Sequence, residues 1–247
     1  LDAFPLRETA RFHPNMATSA TAPVPYDWSK ILGEELMLCR SALSEDQCNA
    51  PGIKHLDEKL CSIRTSQALG GSVKLVLLYF SARWCGACTE FDNVIRDVQN
   101  ALKVFPEYAD IQFVWISCDM SEDSFKTHLK RLGTLLAATW GPKRLQDSIE
   151  MWDLKAIPSL LVMDAQDGRV VTSRARKDVE EAYDEEQLGG SKGYLGLLLQ
   201  WLELLDEQRA ALDDGLPLAG DSSGSDAPEE NFDDENASVQ DDAEVDG

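Results

Sequence analysis

Two cysteines separated by two residues, placed directly after a long apolar run, constrain this chain more than any other feature. The segment reads Trp84-Cys85-Gly86-Ala87-Cys88, and the apolar run before it covers residues 73–80. A buried strand followed by a helix puts both thiols within one helical turn and aims free helix N–H groups at the first sulfur. Such surroundings favour the thiolate, and thiol pKa values in CxxC sites fall from about 8.5 to roughly 3.5–7.5. The segment therefore predicts a dithiol/disulfide redox centre.

The chain on the carboxyl side of this segment alternates between helical and strand patterns. Apolar residues at helical spacing continue from Cys88 to Phe105, and residues 111–117 form a second apolar run typical of a buried strand. Ser121 is a suitable N-cap for a helix that Gly133 ends. This alternation predicts an α/β fold with a right-handed parallel βαβ crossover.

The next part of the chain predicts an insertion and a hairpin. Residues 134–155 exceed what a minimal domain of this kind needs, and they contain a predicted helix over 145–152. Residues 160–163 and 169–173 then predict two antiparallel strands, with Asp167-Gly168 as their turn.

A helix is predicted near each end of the domain. The first begins at Asp27 and continues to Leu43 with moderate amphipathicity. The last covers residues 194–205 and packs on the sheet through one apolar face, formed by Leu195, Leu198, Leu199, Leu202 and Leu205.

The negative charge of the chain is concentrated at its carboxyl end. Residues 206–247 contain fifteen acidic residues and one basic residue, and they carry −14 of the net charge of −21. Such a composition cannot bury a core. We therefore predict a disordered leader over residues 1–25, one domain over 26–208 that includes an N-terminal helical extension, and a disordered acidic tail over 209–247.

The charge distribution and the number of cysteines limit which partners and which cellular compartment we expect for this chain. No basic cluster is present to follow a phosphate backbone or an anionic lipid surface, and the apolar segment 194–205 is shorter than the ~20 residues of a membrane span. Six scattered cysteines are too few for a secreted disulfide framework. We expect a cytoplasmic monomer without nucleic-acid or membrane partners. The mitochondrion is the alternative compartment, and a further hypothesis places the native start of translation at Met16.

Four motifs occur together in a set order along residues 62–176. They are Tyr79-Phe80-Ser81-Ala82-Arg83-Trp84-Cys85-x-x-Cys88, Trp115-Ile116-Ser117-x-Asp119-x-Ser121-Glu122-Asp123-x-Phe125-Lys126, Ala156-Ile157-Pro158-Ser159-Leu160 and Arg169-Val170-Val171-Thr172-x-x-Ala175-Arg176. Together they resemble the tryparedoxins, and slightly less the nucleoredoxins. The resemblance implies a thioredoxin fold, in which helices flank a mixed central sheet.

The resemblance also implies an activity and its residues. Tryparedoxins take electrons from trypanothione, a glutathione–spermidine conjugate, and pass them to peroxiredoxins and other disulfide proteins. By analogy, trypanothione or glutathione is the expected donor, and the Cys85–Cys88 disulfide is the redox group, with no separate cofactor or metal. The implied substrate-binding residues are Trp84, Ile157, Pro158 and Arg176, with a cis peptide bond before Pro158.

Two of the motifs depart from the family pattern. Gly86-Ala87 stands where family members carry Pro-Pro, which frees the backbone between the cysteines. Cys118 and Met120 replace the aromatic residue and the Glu that are associated with docking the amine groups of trypanothione. Tyr79 agrees with the tryparedoxins, and it stands where bacterial-type thioredoxins have a buried Asp that assists proton transfer. The proton acceptor for Cys88 is therefore not identified by the sequence.

Other interpretations of the cysteines remain open at this point. Cys118 follows a strand at the edge where parallel sheets bind ligands, so it is either an auxiliary thiol near the dithiol or a plain buried thiol. A zinc-binding adaptor with Cys85, Cys88, Cys118 and His128 as ligands is one rival. A nucleoredoxin-like interaction protein, whose acidic tail binds a basic partner, is another. Cys39, Cys48 and Cys61 are interpreted as structural, and Trp115, Trp140 and Trp152 as core residues.

Overall fold

The computed structural model describes residues 26–105, 110–133, 135–188 and 193–214. The strands in this part of the chain are β1 (Glu35–Cys39), β2 (Ile53–His55), β3 (Leu60–Arg64), β4 (Leu75–Ser81), β5 (Ile111–Ser117), β6 (Leu136–Ala138), β7 (Ser159–Asp164) and β8 (Val170–Thr172). The helices are α1 (Ser29–Leu32), α2 (Glu45–Cys48), α3 (Thr65–Ala68), α4 (Gly86–Leu102), α5 (Glu122–Leu132), α6 (Pro142–Met151), α7 (Ala175–Gln187) and α8 (Gly193–Asp213).

All of these strands belong to one mixed sheet with the order β2-β3-β1-β6-β5-β4-β7-β8. The central pair β4–β5 is parallel, β5–β6 is parallel, and β4–β7 and β7–β8 are antiparallel. Helices cover both faces, which confirms the predicted thioredoxin fold. None of the described helices combines the length and apolar character that a membrane span requires.

Strand β4 is buried along its whole length, because helices pack on both faces of the sheet at this position. Leu75, Leu77 and Tyr79 point into the core beneath α4, α7 and α8. The alternate residues of the strand point into the opposite core, which contains Val76, Leu78 and Phe80. Alternation with a period of two residues explains why a strand in this position appears in the sequence as a continuous apolar run.

The predicted N-terminal helix over Asp27–Leu43 is wrong. Helix α1 ends after one turn at Gly33, whose φ of +92° favours glycine. Strand β1 follows, and it pairs with β3 and β6. Its apolar residues are buried on both faces of the sheet, and hydrophobic periodicity alone does not distinguish such a short run from part of a buried helix.

The insertion 134–155 contributes strand β6 as well as the predicted helix, which begins at Pro142. Because β6 pairs with β5 on one side and β1 on the other, it joins the N-terminal strands to the central sheet. The predicted hairpin is confirmed as β7–β8, and Gly168 has a φ of +75° in its turn. Helix α7 was not predicted.

The last helix extends beyond its prediction at both ends and presents a different face. Tyr194, Leu197 and Trp201 are buried, whereas Leu199 is 46% exposed. The helix continues through Asp213, past the predicted domain boundary at residue 208. The predicted leader and residues 215–247 of the predicted tail lie outside the described residues.

An ion pair ties the end of α8 to the sheet. The guanidinium of Arg209 donates to both carboxylate oxygens of Asp164, from Nη2 at 2.6 Å and from Nε at 2.9 Å. The side chain of Asp164 is 1% exposed, and that of Arg209 is 31% exposed. Arg209 is therefore part of the folded domain.

We expect Arg209→Met to lower the free energy of unfolding by about 2–3 kcal/mol, because it leaves the buried carboxylate of Asp164 with weaker compensation. This is below the cost of breaking a fully buried pair, since Arg209 is partly exposed and Arg169 stays near Asp164. Urea denaturation measures the change. Lys143→Met is the control, because the Lys143–Asp147 pair is exposed and contributes less than about 1 kcal/mol. Equal losses in the two variants would contradict the anchoring role.

Candidate functional site

The two cysteines of the CxxC segment lie where β4 ends and α4 begins. Cys85 is the N-cap of α4, and its Sγ accepts a hydrogen bond from the backbone N–H of Cys88 at 3.2 Å. Cys85 is half-buried, whereas Cys88 is fully buried. The sulfur of Cys85 thus faces a backbone N–H at the positive end of α4.

The two thiols differ in burial and in hydrogen bonding. Burial, followed by the hydrogen bond with Cys85, raises the pKa of Cys88 to about 12. Cys88 is therefore a protonated thiol at neutral pH. This asymmetry gives Cys85 the geometry of an attacking nucleophile and Cys88 that of a resolving thiol.

The peptide bond between Ile157 and Pro158 is cis, as the family resemblance implies. The carbonyl oxygen of Ile157 lies 3.8 Å from the Sγ of Cys85 and accepts its weak S–H hydrogen bond. Ile157 and Pro158 therefore face the dithiol from the start of β7.

Arg176 contacts the same loop from α7. Its Nη1 donates to the carbonyl oxygen of Pro158 at 3.3 Å, and its Nε donates to Glu180 at 2.9 Å. The guanidinium lies 5.7 Å from the ring centroid of Phe91, a cation–π distance. The predicted substrate-binding residue is thus held by three internal partners, and it supports the loop around Pro158.

Trp84 stands beside Cys85 with 60% of its surface exposed. Its indole Nε1 donates to the carbonyl oxygen of Cys118 at 3.1 Å, which orients the ring. Met120, two residues after Cys118, is 83% exposed. Next to it is a groove of about 330 Å³, with lining residues that include Cys118, Met120, Trp140, Leu145 and Ile149.

Cys118 lies at the carboxyl end of β5, on the edge of the sheet that carries the dithiol. Its backbone N–H donates to Ser81 at 2.9 Å. Burial, together with the charges of Asp119 and Cys85, raises the pKa of Cys118 to about 12. The third thiol is therefore protonated at neutral pH.

Asp92, Asp119 and His128 form a buried charge cluster that the sequence did not reveal, and the partly exposed Arg131 completes it. The ring of His128 lies between two carboxylates, with Nε2 2.9 Å from Asp92 Oδ2 and Nδ1 3.1 Å from Asp119 Oδ2. Arg131 also binds Asp92, and its Nη2 lies 3.1 Å from His128 Nε2. The side chains of Asp92, Asp119 and His128 are at most 4% exposed.

The surroundings of the cluster favour its charged forms. Burial on its own lowers the pKa of His128, but the hydrogen bonds and charges of Asp119 and Asp92 outweigh it, so the pKa of His128 is raised. Burial likewise works against ionisation of Asp92 and Asp119, yet the partners of each carboxyl hold its pKa below the usual value. A ring with an N–H at both nitrogens satisfies both carboxylates.

The cluster connects the two sides of the dithiol segment. Asp92 lies one helical turn after Cys88 on α4, and it also accepts the hydroxyl of Tyr79 at 2.6 Å. Asp119 Oδ1 accepts the backbone N–H of Arg83 at 2.8 Å, two residues before Cys85. Cys88 and Asp92 are four residues apart, a spacing that places two residues on the same face of a helix. This spacing is the one sequence signal that could have indicated that Asp92 lies near the dithiol.

This arrangement argues against the zinc hypothesis. Both ring nitrogens of His128 already face carboxylates, so neither is directed at the cysteines. In the part of the chain that the structure describes, no group of three or more His, Cys, Asp or Glu side chains has a geometry that could hold a metal ion.

Trp115 is fully buried, in agreement with its predicted core position, whereas Trp140 and Trp152 are partly buried beside the two cores.

Comparison with known proteins identifies relatives of this domain. Residues 71–170 match the family model described as thioredoxin-like. The chain is 31% identical to nucleoredoxin from Bos taurus over 150 residues, which are 61% of this chain and 32% of that protein. It is 26% identical to tryparedoxin from Trypanosoma brucei brucei over 134 residues, which are 54% of this chain and 89% of that protein.

Solved structures of tryparedoxin II are also similar to part of this chain. One is from C. fasciculata and another is complexed with glutathionylspermidine; each is 26% identical, covers 56% of this chain and has a TM-score of 0.45. These matches cover 85% and 90% of the two solved chains, respectively. The chain spans a third or less of the curated nucleoredoxins that it matches, 32% of the bovine protein and 25% of the mouse protein.

We expect the stabilising effect of His128 to depend on pH. The pKa of histidine in an unfolded chain is about 6.5, and the folded value is raised. The contribution of His128 is therefore fully present below pH ~6.5 and is lost as the pH rises through the folded pKa. His128→Gln should lower the free energy of unfolding by about 3 kcal/mol at pH 6 and by less at pH 9, as measured by urea denaturation.

The matched control for this measurement is His55→Gln. His55 lies on the exposed strand β2, away from the cluster, so its loss should cost no more than about 0.5 kcal/mol at either pH. A penalty for His128→Gln that is the same at pH 6 and pH 9 would contradict a charged His128.

Proposed function

Because this chain is a thioredoxin-superfamily member similar to nucleoredoxin and tryparedoxin, we propose that it is a thiol–disulfide oxidoreductase that reduces disulfide bonds in other proteins. Cys85 is the attacking cysteine in this proposal, and Cys88 is the resolving cysteine. The single observation that carries the proposal is the asymmetry of the pair. One thiol is accessible and accepts a backbone N–H, and the other is buried and protonated.

The proposed reaction has two exchange steps. The Cys85 thiolate attacks one sulfur of the substrate disulfide, forms a mixed disulfide and releases the other substrate sulfur as a thiolate, which takes a proton. Cys88 then loses its proton and attacks the Cys85 sulfur. This second step breaks the mixed disulfide, releases the reduced substrate and leaves a Cys85–Cys88 disulfide. Two equivalents of a monothiol, or one dithiol, reduce that bond again and are oxidised to their own disulfide.

The surface around Cys85 suits a peptide substrate. Trp84 presents an exposed apolar side chain next to it in the chain, and the groove that Cys118 and Met120 line can accept an apolar side chain of the partner. On the other side, the proposal has the backbone around Pro158 pair with an extended substrate chain in a short β-like contact. We propose peroxiredoxins or other disulfide-containing proteins as the acceptors.

The proposed electron donor is a low-molecular-weight thiol, either trypanothione or glutathione. Met120 is exposed and apolar at a position where the family pattern has an acidic residue, so a cationic spermidine arm gains no charge partner from that side chain. This feature favours glutathione over trypanothione. The proposed setting is the cytoplasm, where both the donor and the acceptor classes are found.

We expect Cys88→Ser to accumulate mixed disulfides through Cys85, because the variant completes the attack but cannot resolve it. Non-reducing electrophoresis after incubation with a disulfide-containing peptide detects the adduct. The adduct should persist in Cys88→Ser/Cys118→Ser and disappear in Cys85→Ser/Cys88→Ser. A binding module of nucleoredoxin type that lacks exchange chemistry would yield no adduct in any of these proteins.

A panel of reductants tests the donor. Trypanothione, glutathione, and thioredoxin with its reductase are each supplied to the oxidised protein while a model disulfide is consumed, and the rate is followed by thiol release. We expect glutathione to sustain turnover at least as fast as trypanothione at equal thiol concentration. The control Met120→Glu should increase the rate with trypanothione relative to that with glutathione. Turnover with trypanothione alone in the wild type would contradict this assignment.

A further inference from the structure

The buried charge cluster lies directly beneath the dithiol, and the proposed exchange steps do not use it. Asp92 shares α4 with Cys88, and Asp119 binds the backbone of the segment that carries Cys85. Four side chains belong to the cluster: Asp92 from α4, Asp119 from the loop after β5, and His128 and Arg131 from α5. The hydroxyl of Tyr79 from β4 also faces it.

The charges of the cluster balance. Two carboxylates face one imidazolium and one guanidinium, so the sum is close to zero when His128 is protonated. His128 is fully buried, and its ring lies edge-on to Trp115 with centroids 4.6 Å apart. Charges in such surroundings are screened less by solvent than surface charges are. A change of one unit in the cluster will therefore be felt at the nearby sulfurs.

Reduction of the disulfide to the form that the proposed exchange uses creates charge beside this cluster. In that form, two electrons and one proton have broken the Cys85–Cys88 bond and left the attacking thiolate on Cys85 and a thiol on Cys88. The disulfide is neutral, whereas this reactive reduced form carries one negative charge. A net negative cluster opposes reduction, and a net positive cluster favours it.

We propose that His128, held between Asp92 and Asp119, is a positioning residue that sets the reduction potential of the Cys85–Cys88 couple by keeping the charge beneath it near zero. This inference rests on the proposed function, because it requires a reversible disulfide between the two cysteines. It assigns a role to a residue that touches neither the substrate nor the reacting sulfurs.

The contacts of Asp92 argue for a fixed charge and against a proton-transfer role. Its carboxylate faces His128, Arg131 and the Tyr79 hydroxyl, all of which stabilise the ionised form. The pKa of Asp92 is accordingly lowered, although its burial opposes this. A carboxylate stabilised in this way is a weak base toward Cys88. The cluster therefore acts through its charge.

Three variants test the inference through the sign of their effects. The equilibrium constant for reducing the Cys85–Cys88 disulfide is measured at pH 7 in glutathione redox buffers, with alkylation and gel shift as the readout. His128→Gln removes a positive charge and should lower the constant at least threefold. Asp92→Asn removes a negative charge and should raise it at least threefold. The double variant restores the balance and should return to within twofold of the wild type.

A purely structural role predicts a different pattern. Shifts in the same direction for both single variants, shifts below twofold, or summed rather than cancelling effects in the double variant would each overturn the inference. His55→Gln and Asp147→Asn are the controls, and both should stay within twofold of the wild type. If Asp92→Asn fails to fold, Asp119→Asn replaces it and should raise the constant in the same way. If His128→Gln fails to fold, Arg131→Gln replaces it. That variant removes a positive charge from a side chain that is 36% exposed and should lower the constant, and an unchanged or raised constant would overturn the inference.

Failure of the inference is distinguishable from failure of the proposed function. If the wild-type protein forms no reversible Cys85–Cys88 disulfide in these buffers, the proposed function fails, and the inference fails with it. If the wild type forms the disulfide but the single variants do not shift in opposite directions, only the inference fails.

Discussion

Burial of β4 on both faces is the constraint on which the rest of the structure depends. A strand in this position needs hydrogen-bonded neighbours on both sides and apolar helices above and below, and β5, β7 and the flanking helices provide them. Because the strand ends at Ser81, the chain leaves the core one turn before Cys85. The start of α4, and with it the environment of both thiols, follows from where this burial stops.

A second constraint is electrostatic and comes from the charge cluster beneath the dithiol. Placing four charged side chains beneath the dithiol is costly unless each of them has a partner, since an isolated buried charge loses far more solvation than it regains. The cluster meets this requirement with contacts from three separate elements, and the same contacts tie α4 and α5 to the backbone at Arg83. The positions of Cys85 and Cys88 thus depend on a charge balance as well as on apolar packing.

The central part of the fold could be predicted because its signals are local and agree with one another. The apolar run of β4, the helical spacing after Cys88, the Ser121 cap and the Asp167-Gly168 turn each indicate one structure, and the strand, the helices and the hairpin follow them. The prediction for the N-terminal region was wrong for a physical reason. A four-residue apolar run such as Leu36–Cys39 fits a helix and a doubly buried strand equally well, and its pairing with β3 and β6 decided the outcome. The face that α8 buries was likewise decided by its packing partners.

By itself, the sequence determined that the two thiols follow a buried strand and stand at the start of a helix. It also identified Ile157-Pro158 as the motif expected to face them. The spacing of the two cysteines and the order of the four motifs leave few alternative folds. Only the tertiary structure decided that Cys88 is the buried thiol, that Arg176 supports the loop around Pro158, and that His128 joins Asp92 to Asp119. The reason is that Asp92 and His128 are 36 residues apart in the chain. No local pattern encodes a contact that exists only after α4 and α5 have packed on the same face of the sheet.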